Sequence, residues 1–187
     1  MTTAGVQITE AALSAEAYLK MERASEQRYE FYFGKLLAMP GESVTANDLI
    51  NNCLELLRRP LRAQGIRVFT HDIKLAVKNG QVYRYPDLMA VAATDITDQF
   101  VMEKPQLLIE VASPDSYHTD RVVTWEEYKA LPSMRYYLVI AQDKMSVDFF
   151  RRVGENWELA ALTKPEDALE LPEWGLVLRL ADLYAGI

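Results

Sequence analysis

The sequence predicts an α/β (α+β) layer fold: a mixed central β-sheet flanked by helices, with an added antiparallel β-element at the C-terminal end. Three observations predict it. The apolar runs at 88–93, 107–112 and 136–141 have the length of buried strands and are far too short to span a bilayer. Upstream, one segment carries helix-start residues and another repeats apolar residues at the helical period, so strands and helices are mixed along the chain. The segment 107–141 reads strand, helix, strand, the pattern of a parallel crossover unit.

Taken in order, the first helix is expected over 13–24, with Ser14 as N-cap and Glu16 in the first turn. The aromatic, alternating stretch 29–39 predicts strands that turn near Gly34, and Pro40-Gly41 then breaks the chain. Thr45-Ala46-Asn47-Asp48 resembles a capping box with Asp in place of the usual Glu. The helix after it places Ile50, Cys53, Leu54, Leu57 and Leu61 on one face; Pro60 is expected to end or kink it, and Gly65 to cap it. One or two strands over 66–76 carry a polar break at Thr70-His71-Asp72, and Asn79-Gly80 signals a hairpin leading into 81–85. After the strands at 88–93 and 107–112 comes a helix over 119–130, stopped before Pro132. Strand 136–141 follows, then an antiparallel pair at 147–150 and 157–162, and a last strand and short helix over 176–183.

The 187 residues, half of them hydrophobic and 25% charged, predict one domain over 1–187 in which 1–12 forms a flexible N-terminal tail. A single cysteine, Cys53, excludes an internal disulfide framework and fits a reducing compartment. With no basic-then-apolar leader at the N-terminus, the expected location is cytoplasmic. The net charge of -7 argues against a general polyanion binder but is compatible with an acidic metal site beside a local basic patch.

The residues that could carry chemistry are mostly acids in the wrong surroundings. Glu110 interrupts Leu107-Leu108-Ile109-Val111-Ala112, and strand geometry points it opposite to Ile109 and Val111. A lone buried carboxylate is costly, so it is either paired with an arginine or meant for a cation. Asp87, after Tyr85-Pro86, is either a turn residue opening its strand or a second ligand. If the two converge they offer hard oxygen ligands suited to Mg²⁺ or Mn²⁺. Glu30, between aromatic neighbours, is either the exposed face of an alternating strand or a third acid. Asp120 suits a helix first turn whatever else it does. Arg58, Arg59 and Arg62, with Arg67, form the one basic cluster: a solvated helix end, or contacts to a phosphate backbone. His71 and His118 lack zinc-site spacing, and neither a phosphate loop nor a nucleophile elbow is present.

The order of these residues carries a resemblance. Tyr85-Pro86-Asp87, then Leu108-Ile109-Glu110-Val111 with Ser113-Pro114, then Asp120, Tyr128 and Pro132 ahead of Tyr136-Tyr137-Leu138-Val139, resembles the Uma family. The N-terminal Tyr29-Glu30, Gly34 and Met39 agree, so the likeness extends over 13–183. This bacterial family is placed in the PD-(D/E)xK, restriction-endonuclease-like superfamily. The resemblance implies a restriction-endonuclease-like core in which Asp87 and Glu110 ligate Mg²⁺ or Mn²⁺ and Glu30 completes the acidic cluster. It implies hydrolysis of a nucleic-acid phosphodiester, with nucleic acid, DNA foremost, as partner and a homodimer as the expected assembly. Asp120 and Thr124 belong to its catalytic set. Three positions depart from the pattern. Ala112 stands where the core motif has a lysine two residues after the Glu; Thr124 where the family carries a substitute lysine; Asn47 where the family often has a histidine. Lys74 and Lys129 are the candidates to replace that lysine in space. The alternative reading is a catalytically degenerate nuclease-fold protein that binds nucleic acid or protein.

Overall fold

Ser14 opens the first helix, α1 (Ala15–Ala24), its hydroxyl accepting from the Ala17 N–H at 3.1 Å. The structure is a computed structural model that describes residues 13–39 and 41–187, so the expected tail over 1–12, and Pro40 of the expected Pro40-Gly41 break, lie outside the described residues. After α1 the chain makes β1 (Tyr29–Tyr32) and β2 (Lys35–Ala38), joined through Phe33 and Gly34, both at positive φ (45° and 88°) as a tight hairpin requires.

The long helix α2 (Val44–Ala63) corrects the expected cap. Ser43, not Thr45, is the N-cap: it is extended (φ -79°, ψ 157°) and its hydroxyl accepts from the Ala46 N–H at 3.0 Å, while Thr45 is already helical. Pro60 does not end α2, which continues to Ala63. Its ring removes one hydrogen bond, but Leu57 and Leu61 on either side are fully buried, and that packing outweighs the proline penalty. The helix stops where Gly65 takes φ 75° and its N–H meets the Arg62 carbonyl at 3.1 Å.

The remaining elements are β3 (Ile66–Thr70), β4 (Lys74–Val77), β5 (Val82–Arg84), β6 (Leu88–Ala92), β7 (Val101–Met102) and β8 (Pro105–Ala112). A π-helical turn (Thr119–Thr124) then runs into α3 (Trp125–Tyr128), followed by β9 (Tyr136–Ala141), β10 (Val147–Val153) and β11 (Asn156–Leu162). The chain closes with β12 (Ala168–Leu171), β13 (Leu176–Arg179) and α4 (Leu180–Leu183). The crossover is as expected: β8 and β9 pair in parallel, with Glu110 opposite Val139, across the intervening helix. That helix, however, begins as a π turn rather than regular α.

The six-stranded mixed sheet has the order β11-β10-β9-β8-β6-β3. One face is covered by α2, α4 and the β12–β13 hairpin, with Leu107, Ile109 and Val111 of β8 pointing into that core. The opposite face packs against a second sheet, β2-β1-β5-β4-β7, as well as against the expected helix, α3; Leu108 and Ala112 of β8 face this side. Short strands with few apolar residues, such as β7 and β12, carry too weak a pattern to be read, yet they complete the covering layers. The polar break at His71-Asp72 marks the point where the chain leaves the six-stranded sheet at β3 and enters the second sheet at β4. No described helix is long and apolar enough to cross a membrane.

The two candidate caps separate experimentally. Ser43→Ala is expected to lower stability by about 1 kcal/mol in urea unfolding, and Thr45→Ala to stay within about 0.5 kcal/mol of the parent.

Candidate functional site

β6 and β8 pair antiparallel with Leu88 opposite Ile109, so Asp87 and Glu110 meet at the end of that ladder. Alternation does the rest. Glu110 lies on the same side of β8 as Leu108 and Ala112, and Asp87 on the same side of β6 as Met89, the side that faces the second sheet. One Asp87 oxygen, Oδ2, accepts from the Val111 N–H at 2.6 Å, and the Asp87 N–H lies 3.5 Å from Glu110 Oε2. The Tyr128 hydroxyl donates to Glu110 Oε1 at 2.8 Å. The two acids therefore hold each other's strands through backbone groups, and among the described residues neither forms an ion pair. Glu110 is not half of a closed salt bridge to arginine.

The electrostatics follow from that. Burial pushes the Asp87 carboxyl up to about 7; the Val111 N–H pulls it down, and the charges of Glu42 and Asp120 raise it further. Glu110 lies well above the usual carboxylate range, first through burial and then through the charges of Asp87 and Asp120. Asp120 is raised to about 6 by burial, against hydrogen bonds from Ser116 and Thr124. Asp120 thus joins the pair, placed by the π turn. That turn is pinned by Arg121 to the buried Asp148, by the Tyr117 hydroxyl to Asp148 Oδ2 at 2.9 Å, and by the Tyr137 hydroxyl to the Asp120 carbonyl at 2.9 Å. Such π turns recur at functional sites because they rotate one side chain out of the helical register. Thr124, buried one turn on, helps to lower the proton affinity of Asp120.

Glu30 is near but differently employed. Its Oε2 pairs with Arg84 Nη1 at 2.7 Å and its Oε1 accepts from the Tyr85 N–H at 3.3 Å. The other edge of the same guanidinium is held by Glu127 through Nε and Nη2 at 3.0 and 3.1 Å. Arg84 and Glu127 were not singled out in the sequence. Arg84 carries the same signal as Glu110, a lone charge amid Val82, Tyr83 and Tyr85. A cavity of about 450 Å³ opens beside Asp87, lined also by Arg28, Asn47, His71 and Asp72. His71, at φ 54°, donates its backbone N–H to the Asp87 carbonyl at 3.2 Å, and its Nδ1 meets Glu42 at 2.8 Å.

The other sequence candidates go elsewhere. Arg58, Arg59 and Arg62 lie in the last turns of α2, toward the opposite end of the helix from Asn47 and the Asp87 cavity. Lys74 is sealed inside, 2.6 Å from the buried Glu22, and Lys129 pairs with Glu126 at the surface. Ala112 is a core residue, 1% exposed.

The family model Uma2, described as "Putative restriction endonuclease", matches residues 15–181. The chain belongs to the Uma2 family. Three further likenesses agree. The uncharacterised protein sll1609 of Synechocystis sp. is 29% identical over 154 residues, covering 80% of this chain and 87% of its own. A second Synechocystis protein, slr1290, is 25% identical over 176 residues, covering 94% and 93%. The crystal structure of "a putative nuclease belonging to DUF820" from Anabaena variabilis superposes with a TM-score of 0.73 at 18% identity, covering 92% of this chain and 98% of that one. At that identity the likeness speaks for the fold: this Uma2 chain has the restriction-endonuclease-like core.

Among the described residues no three His, Cys, Asp or Glu side chains are arranged to hold a metal ion. The donor set of Asp87 and Glu110 fits Mg²⁺ or Mn²⁺ nonetheless. Such ions take one or two carboxylates and leave their other positions to water and phosphate. These two carboxylates are also uncompensated and raise each other's affinity for a positive charge.

Two outcomes are expected. Asp87 binds its proton more tightly folded than unfolded, so the folded state holds more protons between pH 3.8 and about 7 and loses stability as pH rises through that window. In chelator, Asp87→Asn should flatten this decline and raise Tm above the window. Arg84→Met, which strands Glu30 and Glu127, should cost about 3–5 kcal/mol in urea unfolding.

Proposed function

We propose that this Uma2 protein is a metal-dependent nuclease that hydrolyses nucleic-acid phosphodiesters, with Asp87 and Glu110 holding Mg²⁺ or Mn²⁺. The observation that carries the reading is the convergence of two half-buried carboxylates whose only partners among the described residues are neutral N–H and O–H groups. A folded protein does not keep such a pair for stability, because burial and mutual repulsion both work against it.

The roles follow from the contacts. Asp87 is fixed by the Val111 N–H, and Glu110 is oriented by the Tyr128 hydroxyl. Asp120, with a proton affinity near neutrality, is placed to accept a proton from water at the site, and Thr124 holds its carboxylate in position. Glu30 and Glu127 hold Arg84 as a fixed positive charge behind the acids, where it lowers the proton affinity of Asp120. The ion, when bound, supplies Lewis-acid chemistry: it makes a water more acidic and offsets charge on the phosphoryl group. Arg58, Arg59 and Arg62 serve as phosphate contacts away from the chemistry. DNA is the first substrate to test, and a symmetric dimer the assembly to test with it.

One observation favours a second reading, a catalytically degenerate nuclease fold that binds nucleic acid or protein. The lysine position is filled by the buried Ala112, and Lys74 and Lys129 are both engaged by other acids. One experiment separates the two. Under the nuclease reading, Mn²⁺ titrates into the protein calorimetrically and supports cleavage of DNA or RNA. Asp87→Ala and Glu110→Ala should each lower that cleavage by about 10²-fold or more. Cleavage that survives both substitutions removes the site assignment; metal binding without turnover selects the degenerate reading.

A further inference from the structure

The solvent side of α2 links the Asp87 cavity to the arginines. Asn47, Asn51, Glu55, Arg58 and Arg62 follow one another at three- and four-residue steps, so they lie along one side of the helix, and all five are exposed. Asn47 lines the cavity beside Asp87. Asn51 donates to the Asn47 side-chain oxygen at 2.9 Å and lines, with Glu55, Arg58 and Arg62, a second cavity of about 800 Å³. Arg58 and Arg62 also border a third, of about 430 Å³, whose far wall is Arg67 of β3. The Asn51–Asn47 hydrogen bond links the first space to the second, and Arg58 and Arg62 are shared by the second and third, so the side of α2 runs past all three as one path. In a chain of net charge -7, its distal part is cationic. The arginine ion pairs among the described residues use Arg28, Arg84, Arg121, Arg135 and Arg151, and not Arg58, Arg62 or Arg67 at the distal end.

We propose that this side of α2 is a track for the sugar-phosphate backbone of the substrate. It is engaged at the amides near Asp87 and at Arg58, Arg62 and Arg67 at the far end, so that productive binding needs a minimum length of nucleic acid. The inference rests on the nuclease reading and extends it from the reacting phosphate to the strand on one side of it. Asn47 and Arg62 are separated by fifteen residues, about 22 Å along the axis at about 1.5 Å per residue. A duplex covers that span in about six base pairs, at about 3.4 Å per phosphate along each strand. Unpaired guanidiniums suit phosphate oxygens, and exposed amides suit uncharged parts of the same backbone. Glu55, midway, is the one acid among these five residues of α2. It repels phosphate there and leaves the two ends as the points of contact.

The test is fluorescence anisotropy of labelled thymidine and uridine oligonucleotides of about 4 and about 16 nucleotides, the range over which single-strand grooves differ in length, and of a short duplex, in chelator so that nothing is cleaved. The parent should bind the long forms at least tenfold more tightly than the short. Arg58→Gln with Arg62→Gln should erase that advantage and lower the salt slope by about 0.7 for each single-strand phosphate that is no longer neutralised. Glu55→Gln should tighten binding of the long forms several-fold, a gain that a misfolded variant cannot mimic. The thymidine and uridine arms show whether the track prefers one sugar. The proposal is overturned if length has no effect, if these variants bind as the parent does, or if polyglutamate displaces the oligonucleotides equally well. The two readings also fail separately. Asp87-dependent cleavage with unchanged binding in the arginine variants sinks the track alone. Arginine-dependent binding without any cleavage sinks the nuclease chemistry and leaves the track.

Discussion

The end of the β6–β8 ladder is the point on which the rest of the site depends. There Asp87 Oδ2 takes the Val111 N–H that a strand carbonyl would otherwise take, which anchors a carboxylate inside the sheet without a cation. Because Leu88 faces Ile109, the same register brings Glu110 alongside, and a shift by one residue would turn Glu110 into the α2-side core. The fold then surrounds a repulsive pair with neutral donors, Tyr128 from α3 and the backbone N–H groups of the two strands.

The protein sorts its inward-facing acids into two kinds. Glu22 is closed off by Lys74, Arg28 and the Tyr85 hydroxyl, and this cluster fastens α1 to the second sheet. Glu30 and Glu127 are satisfied by the two edges of the Arg84 guanidinium, which ties β1 and α3 to β5. Asp87, Glu110 and Asp120 have no such partner, and their proton affinities rise accordingly. Paired acids hold the scaffold in place; the other three carry no compensating ion pair among the described residues. Sidedness is also built into α2. Its buried face of Leu49, Cys53, Leu57 and Leu61 covers the sheet, and its polar face connects the acidic cavity with the arginines.

How far the site was legible depended on the kind of signal. Glu110 stood out because a charge in an apolar strand contradicts its surroundings, and Asp87 because it opens the neighbouring strand. Their meeting was implied only through the family resemblance. Arg84 obeyed the same rule as Glu110 in a shorter strand. The roles of His71 and Glu42 beside Asp87 had no local signature, since they come from a corner between two sheets and from the segment before α2. Thr45 resembled a cap because Ser and Thr share the same chemistry, and only the backbone angles distinguish Ser43. Pro60 did not end its helix, because propensity is a local quantity and the packing of Leu57 and Leu61 is not.

By itself the sequence determined the order of the helices and of the strands other than β7 and β12, the parallel crossover around Glu110 and the identity of the acids, because each rests on side-chain pattern, on cap and turn residues or on a charge out of place within a few residues. The tertiary structure alone decided that a second sheet covers the Glu110 side, that Arg84 serves Glu30 and Glu127 and not Glu110, and that Asp120 is turned inward by a π turn. Those outcomes depend on which of several acids wins a single buried guanidinium. That competition is settled by distances between β1, β5 and α3, elements separated by dozens of residues, and no local pattern encodes it.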